Sequence, residues 1–294
     1  MTDASTALDS AWIAANPTPV HALGTTKNSR GRVMVLGGSR TVPGAIRLTG
    51  EAALRVGAGK LQLATVGSAS VMLGLLVPEA GVIALEEDAA GEISAFVVAP
   101  FEAALDACDT LVIGPGIRDA DAADRLLRVV LAQQMTDSIL LIDAMAIGCA
   151  RSLCNELARF RDRLILTPNH GEMAALAGRN VEEIAKDPAG VALEVARTYG
   201  AVIVLKGSDT VIAAPDGQLL HYGGGGTGLA TGGSGDVLAG AIGGLLSRGA
   251  SLLVAAGWGV WLHGQSGRRV ATTCGPIGFL ARELSDEFPR LLPQ

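Results

Sequence analysis

The sequence predicts an α/β fold: a mainly parallel central sheet, helices on both faces and an antiparallel hairpin at one edge. Short apolar runs recur along the chain, and segments with helical spacing separate them. Aromatic residues make up only 3% of the 294 residues while glycine occurs 39 times, and such small side chains suit closely packed layers. One late segment differs, because its two β-type runs flank a turn.

The predicted strands are apolar runs that end in glycine or in polar residues. In chain order they are RVMVLGG, LQLAT, GVIAL, TLVIGPG, ILLIDA, LILTPN and AVIVLKG. Helical patterns lie between most of them, such as AIRLTGEAALRVGAGK, which ends in glycine as helices often do, and AADRLLRVVLAQQ. Repeated alternation of strand and helix predicts a parallel sheet that is covered on both faces.

The segment DTVIAAPDGQLLHYGG predicts the antiparallel edge hairpin, because PDG is a turn sequence between two β-type runs. After it the pattern is helical to the end. Residues 1–30 are weakly patterned and are predicted to form an N-terminal arm. Since no repeat, low-complexity tract or linker interrupts the remainder, we expect residues 31–294 to form a single domain.

Charge and hydropathy argue against several partners. A net charge of −6 disfavours nucleic acid, whose binding proteins present a basic face. The start, MTDASTALDSAWIAANPTPV, lacks the basic residues and apolar core of a signal peptide. The longest apolar stretch, ASLLVAAGWGVWLHG, is shorter than the roughly 18 residues of a membrane span, so we expect a buried helix and no membrane partner. We expect a cytoplasmic protein whose four cysteines, which match no CxxC pattern, are buried free thiols.

Glycines and polar residues follow five of the predicted strands. They are Gly37-Gly38-Ser39, Gly114-Pro115-Gly116, Asp143, Asn169 to Glu172, and Lys206-Gly207. Ligands of open parallel sheets bind at the carboxyl ends of the strands. We therefore expect these five strand ends to meet in one site.

The segment GGGGTGLATGGSGDVLAGAIGGLL predicts a phosphate site. A helix is expected to begin near Gly235, and the free N–H groups of its first turn, with those of Gly233 and Ser234, would form an anion hole. Asp236 would lie in that first turn, where the helix dipole favours the ionised carboxylate. Such a carboxylate can take a proton from a hydroxyl that attacks phosphorus. The alternative is an aspartate that only stabilises its helix.

The segment LTPNHGEMAAL predicts a strand, a turn at Pro168 and a helix from about Gly171. Asn169 and Glu172 are three residues apart, so one could cap the helix while the other reaches a hydrated Mg²⁺ or a substrate amide. The alternative is a plain helix cap. His170 is either functional or merely covers the turn.

The segment VIVLKGSDTVIAAPDG places a cation at the end of a buried strand. Lys206 is followed by Gly207, Ser208, Asp209 and Thr210, which offer N–H groups and hydroxyls to a nucleotide phosphate or ribose. The alternative is an ordinary hairpin entry with an exposed lysine.

The segment VLGGSRTVPGAIRLTG predicts another strand end beside a helix start. Gly37 and Gly38 end the strand, and a helix opens at about Ala45, so that its N–H groups would face the site. A tight strand–helix turn without a ligand is the alternative.

These four segments together resemble the ADP-dependent NAD(P)H-hydrate dehydratase family, a branch of the ribokinase-like fold. The matching pieces also include VIGPG, LLIDAMAI and WLHG, and the resemblance extends from about residue 30 to residue 288. The family restores NADH or NADPH whose nicotinamide ring has been hydrated. It consumes ADP and releases AMP and phosphate, and the implied route is phosphorylation of the ring hydroxyl followed by elimination.

The resemblance also implies roles for individual residues. Asp236 would be the base and would contact the S-form hydrate, whose pocket would include Ala45 and Gly116. The AMP part of ADP would be held by Lys206, Gly207, Ser208, Asp209, Thr210 and Gly235. Mg²⁺ is the expected ion, held largely through phosphates and water, with Glu172 as a ligand through water.

Two positions depart from the family pattern. The family has TPHPGE where this chain has TPNHGE, so Asn169 replaces the hydrate-contacting histidine and the histidine stands at His170. Both are candidates for the hydrate contact, and we rank Asn169 first. Gly226 stands where the family often has asparagine, which predicts a looser glycine loop.

The resemblance implies partners, and two other functions compete with it. We expect a separate epimerase chain and a homotetramer. A ribokinase-like, ATP-dependent kinase of a vitamin-precursor alcohol, such as hydroxyethylthiazole, would use the same anion hole and aspartate, and Asn169-x-x-Glu172 favours it slightly. A nucleotide-sensing module without turnover is disfavoured by the presence of Asp236.

Overall fold

The computed structural model describes residues 5–21, 24–94 and 98–293. Within these ranges, ten strands form one sheet. They are β1 (Thr6–Ala7), β2 (Arg32–Leu36), β3 (Lys60–Val66), β4 (Ala80–Leu85), β5 (Thr110–Ile113), β6 (Ile139–Ile142), β7 (Leu164–Leu166), β8 (Val202–Leu205), β9 (Asp209–Ala213) and β10 (Leu219–Gly223).

Helices fill most of the connections between these strands. They are α1 (Ser10–Ala15), α2 (Gly44–Arg55), α3 (Gly67–Leu76), α4 (Ala99–Ala107), α5 (Ala120–Ala132), α6 (Met145–Ala150), α7 (Cys154–Leu157), α8 (His170–Ala177), α9 (Val181–Lys186), α10 (Pro188–Tyr199), α11 (Ser234–Ser247), α12 (Leu252–Cys274), α13 (Ala281–Leu284) and α14 (Phe288–Leu291). Short 3-10 helices lie at Ala158–Phe160, Thr227–Leu229 and Ser285–Glu287.

The strand order is β1-β10-β9-β8-β7-β6-β5-β2-β3-β4. All neighbours run parallel except β8 with β9 and β9 with β10. Helix α11 packs on both α2 and α12, and α6 packs on both α5 and α8. The seven predicted strands, the hairpin and the helices between them are confirmed, and so is the fold class.

The predicted hairpin does not form the outermost edge of the sheet. Beyond β10 lies β1, which pairs with it in parallel, so Thr6 is opposite Leu220 and Ala7 is opposite His221. Two residues of strand are too short to show a period in the sequence, which is why the arm looked unpatterned.

The N-terminal arm also packs on α12. Asp9 caps α1 by accepting from the N–H groups of Ala11 and Trp12. The Trp258 indole N–H donates to the Asn16 carbonyl at 2.6 Å. A β-carbon at Gly257 would lie 2.5 Å from the Trp12 ring, so this glycine lets the ring lie directly on α12.

Two expectations about side chains and length need correction. Cys108 and Cys149 are buried free thiols as predicted, but Cys154 is partly exposed and Cys274 is exposed. The apolar stretch is indeed helical, but its helix α12 is 23 residues long because polar residues continue it to Cys274. In the described ranges, no helix combines the length and apolarity that crossing a membrane requires.

Helix α11 is held against α2 by glycines at the contact. A β-carbon at Gly240 would lie 2.0 Å from the Thr49 carbonyl oxygen, and one at Gly244 would lie 2.6 Å from that of Ala53. The two backbones therefore approach at a distance that other residues do not allow. This contact fixes the helix whose first turn carries Asp236.

The Gly240→Ala variant is expected to be destabilised by about 1–3 kcal/mol, because the added methyl group forces the two backbones apart. Thermal unfolding followed by circular dichroism measures the effect. The matched control is Gly148→Ala in α6, where no atom lies within 4 Å of the new β-carbon. An equal loss in both variants would contradict this account of the α2–α11 contact.

Candidate active site

The glycine-bearing ends of β2 and β5 lie against each other. The Gly38 N–H donates to the Pro115 carbonyl at 2.7 Å. A β-carbon at Gly116 would lie 2.9 Å from Gly38 Cα and 3.0 Å from Ala45 Cβ. Ala45 belongs to the first turn of α2 and is buried. The structure thus brings together the two residues that were predicted to line the hydrate pocket.

The ends of β6, β7 and β8 meet around the ammonium group of Lys206. Its Nζ lies 2.7 Å from Asp143 Oδ1 and 3.8 Å from Glu172 Oε2. The same Asp143 oxygen accepts from the Thr167 hydroxyl at 2.6 Å. Asp143 is 2% exposed, so its charge is compensated inside the protein by this lysine.

The Lys206 side chain is 20% exposed, so the alternative of an ordinary exposed lysine is wrong. Burial by itself lowers the pKa of Lys206. The charges of Asp143 and Glu172 outweigh burial, so the pKa is raised and the ammonium group is charged. A β-carbon at Gly235 would lie 3.5 Å from this ammonium, which places the positive charge beside the first turn of α11.

Asp236 is the third residue of α11, which begins at Ser234, one residue before the predicted start. The pKa of Asp236 is raised to about 7, mainly by burial and also by the charge of Asp143, while Lys206 opposes the shift. The expectation that the helix dipole favours the ionised form is therefore overridden. Among the described residues, none forms a hydrogen bond with this carboxylate. Its oxygens are available to a substrate hydroxyl.

The predicted anion hole lies at the first turn of α11. Gly233 precedes the helix with φ +89°, a left-handed conformation that favours glycine. Among the described residues, no side chain caps this helix start. The Ser234 N–H donates to the Thr231 carbonyl at 3.2 Å. The remaining N–H groups of the first turn and the positive end of the helix dipole together favour a bound anion.

A cavity of about 820 Å³ opens beside this turn. Of the residues predicted to hold AMP, Lys206, Gly207, Ser208, Thr210 and Gly235 line it. Asp209 does not line the cavity. Side chains alternate along β9, and the Asp209 side chain is 61% exposed, with its carboxylate 3.9 Å from His221 Nε2. The contact of Asp209 with the AMP part stays a prediction.

Sequence reasoning missed the apolar part of this cavity. Tyr222, Leu229, Leu238 and Val260 line it, from four separate elements. Apolar walls next to a cation and N–H groups suit a nucleotide, whose base is flat and apolar on its faces. His263 in α12 also lines the cavity, and no role was predicted for it.

Asn169 and Glu172 form a reciprocal helix cap. The Asn169 side chain accepts from the Glu172 N–H at 2.9 Å, and Glu172 Oε2 accepts from the Asn169 N–H at 2.8 Å. Helix α8 accordingly begins at His170 rather than Gly171. Burial raises the pKa of Glu172, while Lys206 opposes the shift. The capping alternative thus describes the hydrogen bonds of the Asn169 and Glu172 side chains.

Asn169 and His170, the two candidates for the hydrate contact, lie near the cavity and near Gly207. Asn169 lines the cavity. A β-carbon at Gly207 would lie 3.4 Å from His170 Nε2, so that ring lies against the turn that follows β8. Their contact with the hydrate stays a prediction.

The described residues contain no group of three histidine, cysteine or acidic side chains placed to hold a metal ion. Asp143 is occupied by Lys206 and Thr167, and Glu172 Oε2 by the cap. A magnesium ion would therefore depend on phosphate oxygens and water, which agrees with its reluctance to lose water.

Sequence comparison identifies relatives over nearly the whole chain. A family model described as NAD(P)H-hydrate dehydratase matches residues 33–290. The ADP-dependent (S)-NAD(P)H-hydrate dehydratase of Xanthomonas campestris pv. campestris is 44% identical over 274 residues, which cover 93% of this chain and 92% of that protein. Bifunctional NAD(P)H-hydrate repair enzymes also match, and the chain spans about half of their length.

Solved structures show the same architecture. The ADP/ATP-dependent NAD(P)H-hydrate dehydratase from Bacillus subtilis, co-crystallized with ATP/Mg²⁺, has a TM-score of 0.79 and 28% identity, covering 98% of this chain and 97% of that chain. A ribokinase-like superfamily protein from Enterococcus faecalis V583 has a TM-score of 0.79 and 27% identity, covering 93% of this chain and 90% of its own. The fold is ribokinase-like.

Proposed function

The chain belongs to the NAD(P)H-hydrate dehydratase family, and we propose that it dehydrates the S-form of hydrated NADH or NADPH with ADP, releasing AMP and phosphate. The Asp236 carboxylate carries the proposal, because it has a pKa near 7, no hydrogen-bond partner in the described part of the chain, and a place in the first turn of α11 beside a nucleotide-sized cavity. A carboxylate of this pKa is suited to accept a proton near neutral pH.

The reaction has two stages. The ring hydroxyl of the hydrate gives its proton to Asp236 and attacks the β-phosphorus of ADP, and the bond to the bridging oxygen breaks to release AMP. In the second stage the phosphorylated carbon–oxygen bond breaks, phosphate leaves, and a neighbouring ring carbon loses a proton. The ring double bond of NADH or NADPH is thereby restored.

The cation and the N–H donors of the site suit the phosphoryl transfer of the first stage. Lys206 supplies the cation beside Gly235. The N–H groups of Gly233 and Gly235 would face the position where charge develops on phosphate oxygens, while the Ser234 N–H donates to the Thr231 carbonyl. Gly207, Ser208 and Thr210 would hold the rest of the AMP part. The apolar walls of the cavity would take the base.

The order of the strands supports separate positions for the nucleotide and the hydrate. Lys206 follows β8, Asp143 follows β6, and Gly116 follows β5. Helix α11, which carries Asp236, contacts β2, β5 and β6. These contacts support a position of Asp236 between the nucleotide cavity and a hydrate pocket that would include Ala45 and Gly116. We assign the hydrate to that pocket, with Asn169 ahead of His170 as a further contact.

Mg²⁺ would be held by the phosphates of ADP and by water, with Glu172 reached through water. When bound, it would neutralise phosphate charge. The epimerase partner, the homotetramer, the cytoplasmic location and the domain boundary at residue 30 stay predictions.

The proposal is tested by adding purified protein to S-form hydrated NADH with Mg²⁺ and either ADP or ATP. Recovery of the reduced-nicotinamide absorbance with ADP, and little with ATP, is expected. Absence of recovery with both nucleotides, together with ATP-dependent phosphorylation of hydroxyethylthiazole, would replace the dehydratase by the kinase alternative.

A further inference from the structure

His263 lies in the nucleotide cavity, yet the proposed reaction gives it no role. Its Nε2 lies 2.8 Å from the hydroxyl oxygen of Ser234, which is the first residue of α11 and 5% exposed. Both residues line the cavity. The imidazole therefore contacts the anion hole from a second helix, α12.

The imidazole is neutral at physiological pH. The pKa of His263 is lowered to about 4, mainly by burial and also by the positive charge of Lys206, while a hydrogen bond with the Ser234 backbone opposes the shift. A neutral imidazole carries one N–H, so the contact with Ser234 has two forms. Either the hydroxyl donates to an unprotonated Nε2, or a protonated Nε2 donates to the hydroxyl oxygen.

We propose that His263 is a positioning residue that donates its Nε2–H to the Ser234 oxygen and thereby directs the Ser234 hydroxyl proton to the phosphate of the bound nucleotide. This inference rests on the proposed function of the cavity. The chain of donors runs in one direction, from imidazole through hydroxyl to phosphate, and each bond polarises the next.

The chemistry of the ligand selects this form. A phosphate oxygen only accepts hydrogen bonds, so a hydroxyl that has given its proton to His263 would present lone pairs to it. The opposite tautomer supplies a donor in addition to the N–H groups of the helix. Ser234 would thus contribute its side chain to the anion hole.

The tautomer is measured directly by ¹⁵N NMR of the histidine rings. The chain has only four histidines, and His263→Gln assigns the resonance. With saturating ADP, we expect the proton of His263 on Nε2 and none on Nδ1. An Nδ1–H tautomer in the ADP complex, or no binding of ADP, would overturn the proposal.

Enzyme variants give a second test. Glutamine can place an N–H near the position of imidazole Nε2, so His263→Gln is expected to keep kcat within a few-fold, while His263→Leu loses roughly 10- to 100-fold, somewhat less than removal of a direct oxyanion donor. The Ser234→Ala/His263→Leu double variant should lose no more than Ser234→Ala alone. His221→Gln, at an exposed histidine outside the cavity, is the matched control.

Equal loss in His263→Gln and His263→Leu, or additive loss in the double variant, would contradict a role through Ser234. An inactive wild-type protein that still binds ADP with the Nε2–H tautomer would refute the proposed function and leave the hydrogen-bond assignment supported. The two failures are therefore distinguishable.

Discussion

Replacing Asp236 by asparagine is expected to lower kcat for the dehydration by roughly 10²- to 10⁴-fold, the contribution of a general base. Asparagine keeps the shape of the side chain but cannot take the hydroxyl proton. The affinity for ADP, measured by isothermal titration calorimetry, should survive because Lys206 and the helix N–H groups remain. Asp106→Asn, at an exposed aspartate in α4, is the control.

The same variant is expected to be more stable than the wild type at pH 8. The pKa of Asp236 rises from 3.8 to about 7 on burial, so the folded protein binds this proton more tightly than the unfolded chain. The contribution of this carboxyl group to the free energy of unfolding favours the folded state at low pH and is lost as the pH rises toward 7. Asparagine removes the buried charge. A lower Tm together with lost activity would indicate misfolding instead of a missing base.

The second large effect is expected at Lys206. In Lys206→Met, kcat/KM should fall by roughly 10²- to 10³-fold, because the cation that faces the phosphates is lost. Stability should fall by about 3–5 kcal/mol, since Asp143 stays buried without its partner. Because Lys206 lowers the pKa of Asp236, the pH below which activity declines should move upward.

The Asp143→Asn variant is expected to shift the pH dependence of activity in the opposite direction. The negative charge of Asp143 raises the pKa of Asp236, so its removal should move the acid limb of the pH–rate profile to lower pH. Stopped-flow or steady-state rates between pH 5 and pH 9 measure both variants. Shifts in the same direction in the two variants would show that Asp236 does not control the acid limb.

The parts of this site that follow from local patterns could be predicted from the sequence. The glycines before Asp236 and the turn after β8 each belong to one continuous segment, so their geometry depends on neighbours along the chain. The N-cap at Asn169 is equally local, and its spacing to Glu172 is the reason that capping was among the alternatives.

The contacts that could not be predicted join distant residues. Lys206 and Asp143 are 63 positions apart, and their pairing depends on β7 lying between β6 and β8. Ser234 and His263 are 29 positions apart on separate helices, so their contact depends on how α12 packs against α11. Asp209 differs from these cases. The alternation of side chains along β9 could have indicated that its side chain points outward.

The central claim is that the protein couples restoration of the nicotinamide ring to cleavage of ADP at the first turn of α11. The most direct measurement is the stoichiometry of a single reaction, with NADH followed by absorbance and AMP and phosphate quantified by chromatography and ³¹P NMR. The account predicts one AMP and one phosphate for each NADH restored, and none of the three products with Asp236→Asn. Restoration of NADH without AMP, or AMP and phosphate formed in equal amounts without the hydrate, would contradict it.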